Sequence, residues 1–417
     1  MKKKLILISF LLISGCNKVD LGNLETSIYI ASDIHLYSNN LIGENNVNCV
    51  KEKFTSDGRV QEYDYELVNS LVNEVNKNKP EFLVISGDLS FNGERDSHLE
   101  LVKLLDKIED TKVLVIPGNH DTYSLNSFSC LNDEVTTIDS ITSDEFKTIY
   151  KDYGYSNAYS CDKESLSYIY EISEDKWLMM LDTNQSKYNY EYNMNIVSGN
   201  INEDTYKWME ENLKYAYQNN IEVISVSHHN LLVHNPLFKT SYTILNNEEV
   251  INLFTKYDVK MNFSGHLHIQ SIKDTKMNKK KFYDISSGSL LDYSNRYGIF
   301  DIYNNYLKYE SKKINFIDNS FDFNKYSYDV FYNKYFNKSI SLNEYLYLDK
   351  AKEITSLLSE INCYYFDGDY VNINKVIKEN KSLIRLIKRK TKNYKESYIS
   401  TIIDVEKENQ HSLLVKR

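Results

Sequence analysis

Along the first 300 residues the apolar positions follow two periods in alternation. Short β-branched runs, whose neighbours face opposite ways, are followed by stretches in which Leu, Val and Ile return every three or four residues. Ser27-Ile28-Tyr29-Ile30-Ala31 reads as a strand, and Leu67, Val68, Leu71, Val72 and Val75 as one face of a helix that Lys79-Pro80 ends. Glu81 to Ile85 is the next strand, Leu99 to Ile108 the next helix, and Val113-Leu114-Val115-Ile116 a third strand that Pro117-Gly118 breaks. This β, α, β, α, β order predicts a largely parallel sheet whose strand C-termini share one rim, where α/β folds present chemistry.

The pattern continues with a short helix over Ser143–Tyr153 and strands over Ser165–Ile172 and Trp177–Leu181. A helix over Asn202–Tyr217 then precedes a strand over Ile221–Ser227, and a helix over Glu248–Tyr257 a strand over Val259–Phe263. Phe282–Leu291 and Tyr297–Lys308 read as further strands, with turns at Ser287-Gly288 and Asn304-Asn305. Beyond Phe316 the period becomes helical: Ala351, Ile354, Leu358 and Ile361 form one stripe, and Ile373, Val376, Ile377, Ile384 and Ile387 another. The expected organisation is a leader over residues 1–16, a tether over 17–24, an α/β domain over 25–317 and a small helical domain over 318–417.

Metal-type side chains follow the strands: Asp33-Ile34-His35, Gly87-Asp88, Gly118-Asn119-His120-Asp121, Asp182-Thr183-Asn184, His228-His229 and Gly265-His266-Leu267-His268. Residues two apart on extended backbone share a face, so Asp33 and His35 can grip one ion. A lone Asp-x-His is an ordinary loop, but most of the nine histidines fall in these blocks. Mixed imidazole, carboxylate and amide donors suit Mn, Fe, Zn or Co rather than Ca.

Composition changes the picture in three places. The formal charge of -10 argues against a nucleic-acid-coating protein, so no specific nucleic-acid partner is expected. Lys2-Lys3-Lys4 followed by Leu5 to Ile13 reads as a signal peptide, and Ile13-Ser14-Gly15-Cys16 resembles a bacterial lipobox. The expectation is export, with Cys16 lipidated and the chain anchored on the outer face of the cell membrane. Cys49, Cys130, Cys161 and Cys363 then allow three full pairings; Cys130–Cys161, flanking an inserted loop, is the preferred one, with free buried thiols the alternative. Last, basic residues from Lys375 to Lys395 run along a helix with an Ile and Leu stripe. They read either as a solvated face over a packed apolar side or as a face for anionic lipid, wall polymer or polyanionic substrate.

Taken in order, Asp33-Ile34-His35, Gly87-Asp88, Gly118-Asn119-His120-Asp121, His228 and Gly265-His266-Leu267-His268 resemble the calcineurin-like metallophosphoesterase family. Asn92-Gly93-Glu94 and the Asp182 strand end also resemble a bacterial subgroup of lipoprotein-type phosphohydrolases with a helical C-terminal extension, some of which are cyclic-nucleotide phosphodiesterases. The resemblance implies a four-layer αββα sandwich with a small C-terminal helical domain. It implies two divalent metal ions, the first on Asp33, His35 and His268, the second on Asn119, His228 and His266, with Asp88 bridging. A swap of His228 with His229 stays open, and His229 and His234 are either packed rim residues or substrate contacts. His120 would stabilise the transition state or protonate the leaving alkoxide, with Asp121 orienting it or capping a following helix. His98 and His411 are expected to be solvated on helices.

The implied activity is phosphoester hydrolysis by a metal-bridging hydroxide, whose pKa two cations bring toward roughly 7, with phosphodiesters such as cyclic nucleotides favoured. An external phosphomonoesterase scavenging nucleotides and a metal-braced binding lipoprotein without catalysis are the alternatives.

Overall fold

A computed structural model describes residues 19–43, 54, 58–131, 134–406 and 408–417. The leader, Cys16 and Cys49 lie outside the described residues. Among those described, no helix is long and apolar enough to cross a membrane.

Two mixed sheets face each other. In the first, β1 (Leu24–Ala31), β2 (Phe82–Ser86) and β3 (Lys112–Ile116) run parallel, as the alternating pattern requires. Antiparallel strands extend it beyond β1: β13 (Arg296–Tyr303), β14 (Tyr306–Lys313) and the C-terminal β15 (Ser412–Lys416). The second has a parallel centre of β8 (Lys176–Leu181), β9 (Glu222–Ser227), β10 (Met261–Ser264) and β12 (Lys280–Ser286). Its antiparallel flanks are β6 (Ser160–Cys161) and β7 (Tyr168–Ser173) on one side and β11 (Ser271–Met277) on the other. Phe128–Ser129 and Thr136–Thr137, β4 and β5, form a small separate ladder.

Helices α1 (Asp64–Asn78) and α2 (Arg95–Leu105) cover the first sheet, and α3 (Glu203–Gln218) and α4 (Asn247–Lys256) the second. With both faces covered, all five residues of β2 are buried, which is why this strand reads as an unbroken apolar run. Ile28, Val84 and Val115 share one core with Leu178, Val226 and Phe263 of the other sheet; Met209, Leu213, Val250 and Phe254 form a second core with Trp177 and Val223. Each such side chain contributes roughly 1.5–3 kcal/mol by leaving water. α1 ends where Lys79 turns left-handed, φ 49°, ahead of Pro80.

The C-terminal region holds α5 (Phe323–Tyr347), α6 (Ala351–Asp367), α7 (Tyr370–Glu379) and α8 (Lys381–Lys390). The single apolar stripe over 373–387 is two helices, because Asn380 interrupts the α period between them. Ile384 and Ile387 are buried with Ile354 and Ile361, so α8 packs by its apolar side while its basic residues face outward. The chain then returns to the first sheet as β15; His411 precedes that strand and is partly buried, so the helical, solvated assignment was wrong.

Cys130 is disulfide-bonded, whereas Cys161 and Cys363 are free, which overturns the Cys130–Cys161 pairing. Cys130 belongs to a buried cluster with Tyr37, Leu41, Phe91 and Phe128, while Cys161 lies exposed on the edge strand β6.

Candidate metal centre

Five strand ends converge where the rims of the two sheets meet. Asp33 and His35 follow β1, Asp88 follows β2, Asn119 and His120 follow β3, His228 follows β9, and His266 and His268 follow β10. Asp33, His35, Asp88, His266 and His268 all hold left-handed backbone, with φ between 46° and 64°. Such a conformation costs a non-glycine residue of the order of 1–2 kcal/mol. Cross-loop hydrogen bonds hold it: the amide of Asp33 donates to Gly87 O at 3.1 Å and that of His35 to Asp88 O at 2.9 Å. The amide of His266 donates to the Asp33 carboxylate at 3.0 Å and that of His120 to Asp88 Oδ1 at 2.9 Å. Gly118 permits this proximity, since a Cβ there would meet Asp88 Oδ1 at 2.1 Å.

The side chains form two groups that share one carboxylate. Donor atoms of Asp33, His35, Asp88 and His268 lie within 4.8 Å of one another, as do those of Asp88, His228 and His266. His35 Nε2 is 3.4 Å from His268 Nε2 and 3.6 Å from Asp88 Oδ2; His228 Nε2 is 3.4 Å from Asp88 Oδ2 and 3.1 Å from Asn119 Oδ1. Most of these imidazoles spend the other nitrogen outside the cluster. His228 Nδ1–H donates to Ser86 O at 2.9 Å, His266 Nε2–H to Ser241 O at 3.1 Å, and His268 Nδ1–H to the Asp292 carboxylate. The tautomers so assigned turn lone pairs of Nε2, Nδ1 and Nε2 inward, the orientation of metal-binding histidines. Buried, facing lone pairs and shared carboxylates of this chemistry fit two borderline divalent cations.

The electrostatics agree. Burial opposes the charge on His228 and His268, yet the facing carboxylates, Asp88 for the first and Asp33 and Asp292 for the second, push their pKa values up to about 9 and about 10. Burial likewise opposes ionisation of Asp33, but His268 holds it below its usual range. Without cations, protons on these two imidazoles balance the carboxylates; bound cations would displace them.

His120 stands beside the cluster, its ring 4.9 Å from that of His35 and edge-on to it. Its Nδ1–H donates to Phe91 O at 2.8 Å and is 3.0 Å from Asn92 Oδ1, which leaves Nε2 for the open side. Burial lowers its pKa, with Arg59 acting in the same direction and Asp88 against.

Other sequence candidates stand apart. Asp121 neither orients His120 nor caps a helix: its carboxylate accepts from the amides of Gly118 (2.7 Å), Leu89 (3.0 Å) and Ser90 (2.8 Å), stapling the β2 loop to the β3 loop. His98 is buried, not solvated, its two nitrogens 2.9 Å from Tyr150 Oη and 3.0 Å from Asp121 O. Both ring nitrogens of His229 have partners outside the cluster, Thr183 Oγ1 at 2.7 Å and Val197 O at 2.9 Å, so His228, 3.4 Å from Asp88 Oδ2, is the member of the pair that faces the cluster. His234 Nε2 meets the buried Asp284 at 3.3 Å. The Asp182 carboxylate accepts from Leu166 and Asn184 and supplies nothing to the cluster.

Three features were not read from the sequence. Asp292 holds His268, and Arg59 Nε lies 4.0 Å from Asp292; neither follows a strand directly, so no local pattern marks them. The third is the cleft of about 630 Å³ above the cluster, whose floor includes Asn119, His120 and His266 and whose far wall is α5.

An αββα sandwich that gathers these residues on its rim defines the class of metal-dependent phosphoesterases. The family model for calcineurin-like phosphoesterases matches residues 26–270, and the chain belongs to that family. Two solved structures are similar in fold. A dimetal phosphatase from Danio rerio is 12% identical, with 70% of this chain and 97% of that chain covered and a TM-score of 0.49. A candidate 5′-nucleotidase from Staphylococcus aureus, solved with α-ketoglutarate, is 17% identical, with 73% and 57% covered and a TM-score of 0.39. No curated protein matches the chain.

Proposed function

We propose that this phosphoesterase hydrolyses phosphodiesters, cyclic nucleotides among them, with two divalent cations drawn from Mn, Fe, Zn and Co. Asp33, His35, Asp88 and His268 would hold one and Asp88, Asn119, His228 and His266 the other; together they supply neutralisation of phosphoryl charge and activation of water. His120 carries the reading. Its Nδ1–H is committed to Phe91 O, so any proton exchanged with substrate moves at Nε2, on the side of the cleft. Low basicity keeps the resting imidazole neutral, and an anionic phosphoryl group beside it favours the protonated form that can donate to a leaving alkoxide.

The same proposal places the chain outside the cell, held through a lipidated Cys16. Supporting this are Lys2-Lys3-Lys4, the apolar run from Leu5 to Ile13 and the lipobox-like Ile13-Ser14-Gly15-Cys16.

The test is a metal-reconstituted screen of mono-, di- and cyclic phosphoesters with His120→Ala as control. Diester turnover should fall by about 10²–10⁴-fold in the variant while both metals stay bound. No turnover of any ester by the metal-loaded natural chain would mean a metal-braced binding protein, unchanged turnover in the variant would remove His120 from the chemistry, and preference for monoesters would mean a scavenging phosphatase.

A further inference from the structure

Phe331, Lys334, Tyr335 and Lys338 occupy positions i, i+3, i+4 and i+7 of α5, one helix face, and all four line the cleft. This wall is fixed to the α/β body. Tyr326 Oη donates to the Glu62 carboxylate, Ser327 Oγ donates to Asn295 Oδ1 at 2.6 Å, and the Phe331 ring lies 6.1 Å from that of Tyr293. The α5 wall therefore belongs to the cleft as much as the metal-type residues do.

The wall has a chemistry that a lone phosphate does not use. The chain carries a formal charge of -10, yet Lys334, Lys338 and Arg59 all line this cleft. Among the described residues the carboxylates lining it are Asp88, which faces His228, and Asp292, which faces His268 and lies 4.0 Å from Arg59 Nε. Lys338 is exposed and has no carboxylate partner among the described residues. The aromatic surface is equally placed: Tyr335 on α5, and across the cleft Tyr242, whose ring lies 4.7 Å from that of His266. A volume of about 630 Å³ falls in the range of pockets that enclose whole organic ligands, ~300–1,000 Å³.

Resting on the hydrolase reading above, we infer that the α5 wall selects a phosphodiester bearing an aromatic base and a second anionic group, the base against Tyr335 and the second anion on Lys334 and Lys338. The scissile group occupies the floor beside His120. Substrates of this class are short or cyclic oligonucleotides and other nucleotide diesters with an additional phosphate.

Two dinucleotides that differ by one phosphate isolate the claim: adenylyl-(3′→5′)-adenosine (ApA) and its 5′-phosphorylated form (pApA). Calorimetry on the Mn-loaded full chain carrying His120→Ala, in which cleavage is suppressed, should show pApA binding about tenfold more tightly than ApA, as expected for a charge-assisted contact. The ratio should fall to near one in Lys334→Gln/Lys338→Gln and persist in Lys334→Arg/Lys338→Arg. Tyr335→Leu should weaken both ligands about tenfold, and Tyr335→Phe should not. Equal affinity for the two ligands with both lysines in place, or a ratio unchanged by the double Gln variant, overturns the inference. Binding in the His120→Ala background is read apart from turnover, so if that chain discriminates the two ligands while the natural chain cleaves neither, the phosphodiesterase reading alone is contradicted.

Discussion

The strand-end loops of the α/β body and the helices of the C-terminal region build the same cleft from opposite kinds of information. In the body, each metal-type residue follows its strand within a few positions, so local pattern and function coincide. In the helical region, nothing local marks Lys334 or Tyr335 among the other lysines and tyrosines of α5; they matter because of what they face. The two regions meet at Leu267. Between His266 and His268, which turn to the cluster, Leu267 turns the other way and is buried with Ile354, Ile361 and Ile384 of the helices. The helical core thus holds one of the loops of the cluster in place.

The largest effect should come from within the body. Asp88→Asn weakens the charge shared by both groups, and diester turnover should drop by more than about 10³-fold with loss of bound metal, read by elemental analysis. Retention of both metals would show that the two groups do not depend on their common residue.

Next comes pH, which separates the cluster from the rest of the fold. His228 and His268 have pKa values raised to about 9 and about 10, above the unfolded value near 6.5. Their contribution to the metal-free chain is complete below pH 6.5 and is lost as pH rises through 9 to 10. The unfolding free energy of the chelated protein, followed by its melting temperature, should therefore fall across that window by an amount on the order of a few kcal/mol. Metal affinity should rise with pH over the same range, because binding displaces the two protons. A flat melting profile would mean that carboxylate and imidazole are not coupled as the geometry requires.

The junction itself is tested by Leu267→Ala. A cavity in the helical core should cost about 2–4 kcal/mol by denaturant titration and loosen metal binding along with it. Stability lost without any change in metal affinity would uncouple the two regions.

The smallest change concerns Asp292→Asn, which keeps the shape beside His268 but removes the carboxylate that orients it. Metal affinity should weaken by about 10–100-fold by competition with a chelator, with the fold intact. No change would leave Asp292 a packing residue.

How far the sequence could be read follows from the range of the interactions. The parallel β1–β3 unit, α1 with its Lys79-Pro80 stop and the strand-end blocks were legible because period and turn chemistry act over a few residues. β11 and β15 were missed: Lys273, Asp274 and Lys276 make β11 a polar edge, and β15 is defined by pairing with β14 about a hundred residues earlier. His98 reads as solvated on its helix, because the groups that cover it, the β3 loop, Phe146 and Tyr150, come from elsewhere in the chain. The cysteine pairing failed for the same reason, because adjacency to a loop does not say which thiol lies in a core.

By itself the sequence determined the alternation of strands and helices, the identity of the residues at the strand ends, and with them the phosphoesterase family. Those are consequences of backbone period and of side-chain type, both written locally. Only the tertiary structure decided that His228 rather than His229 faces Asp88, that Asp121 is a staple between loops, that Asp292 orients His268, and that α5 closes the cleft. Each of these depends on which atoms from distant segments come within about 3 Å, and that distance is set by the packing of the two sheets and the helical region together.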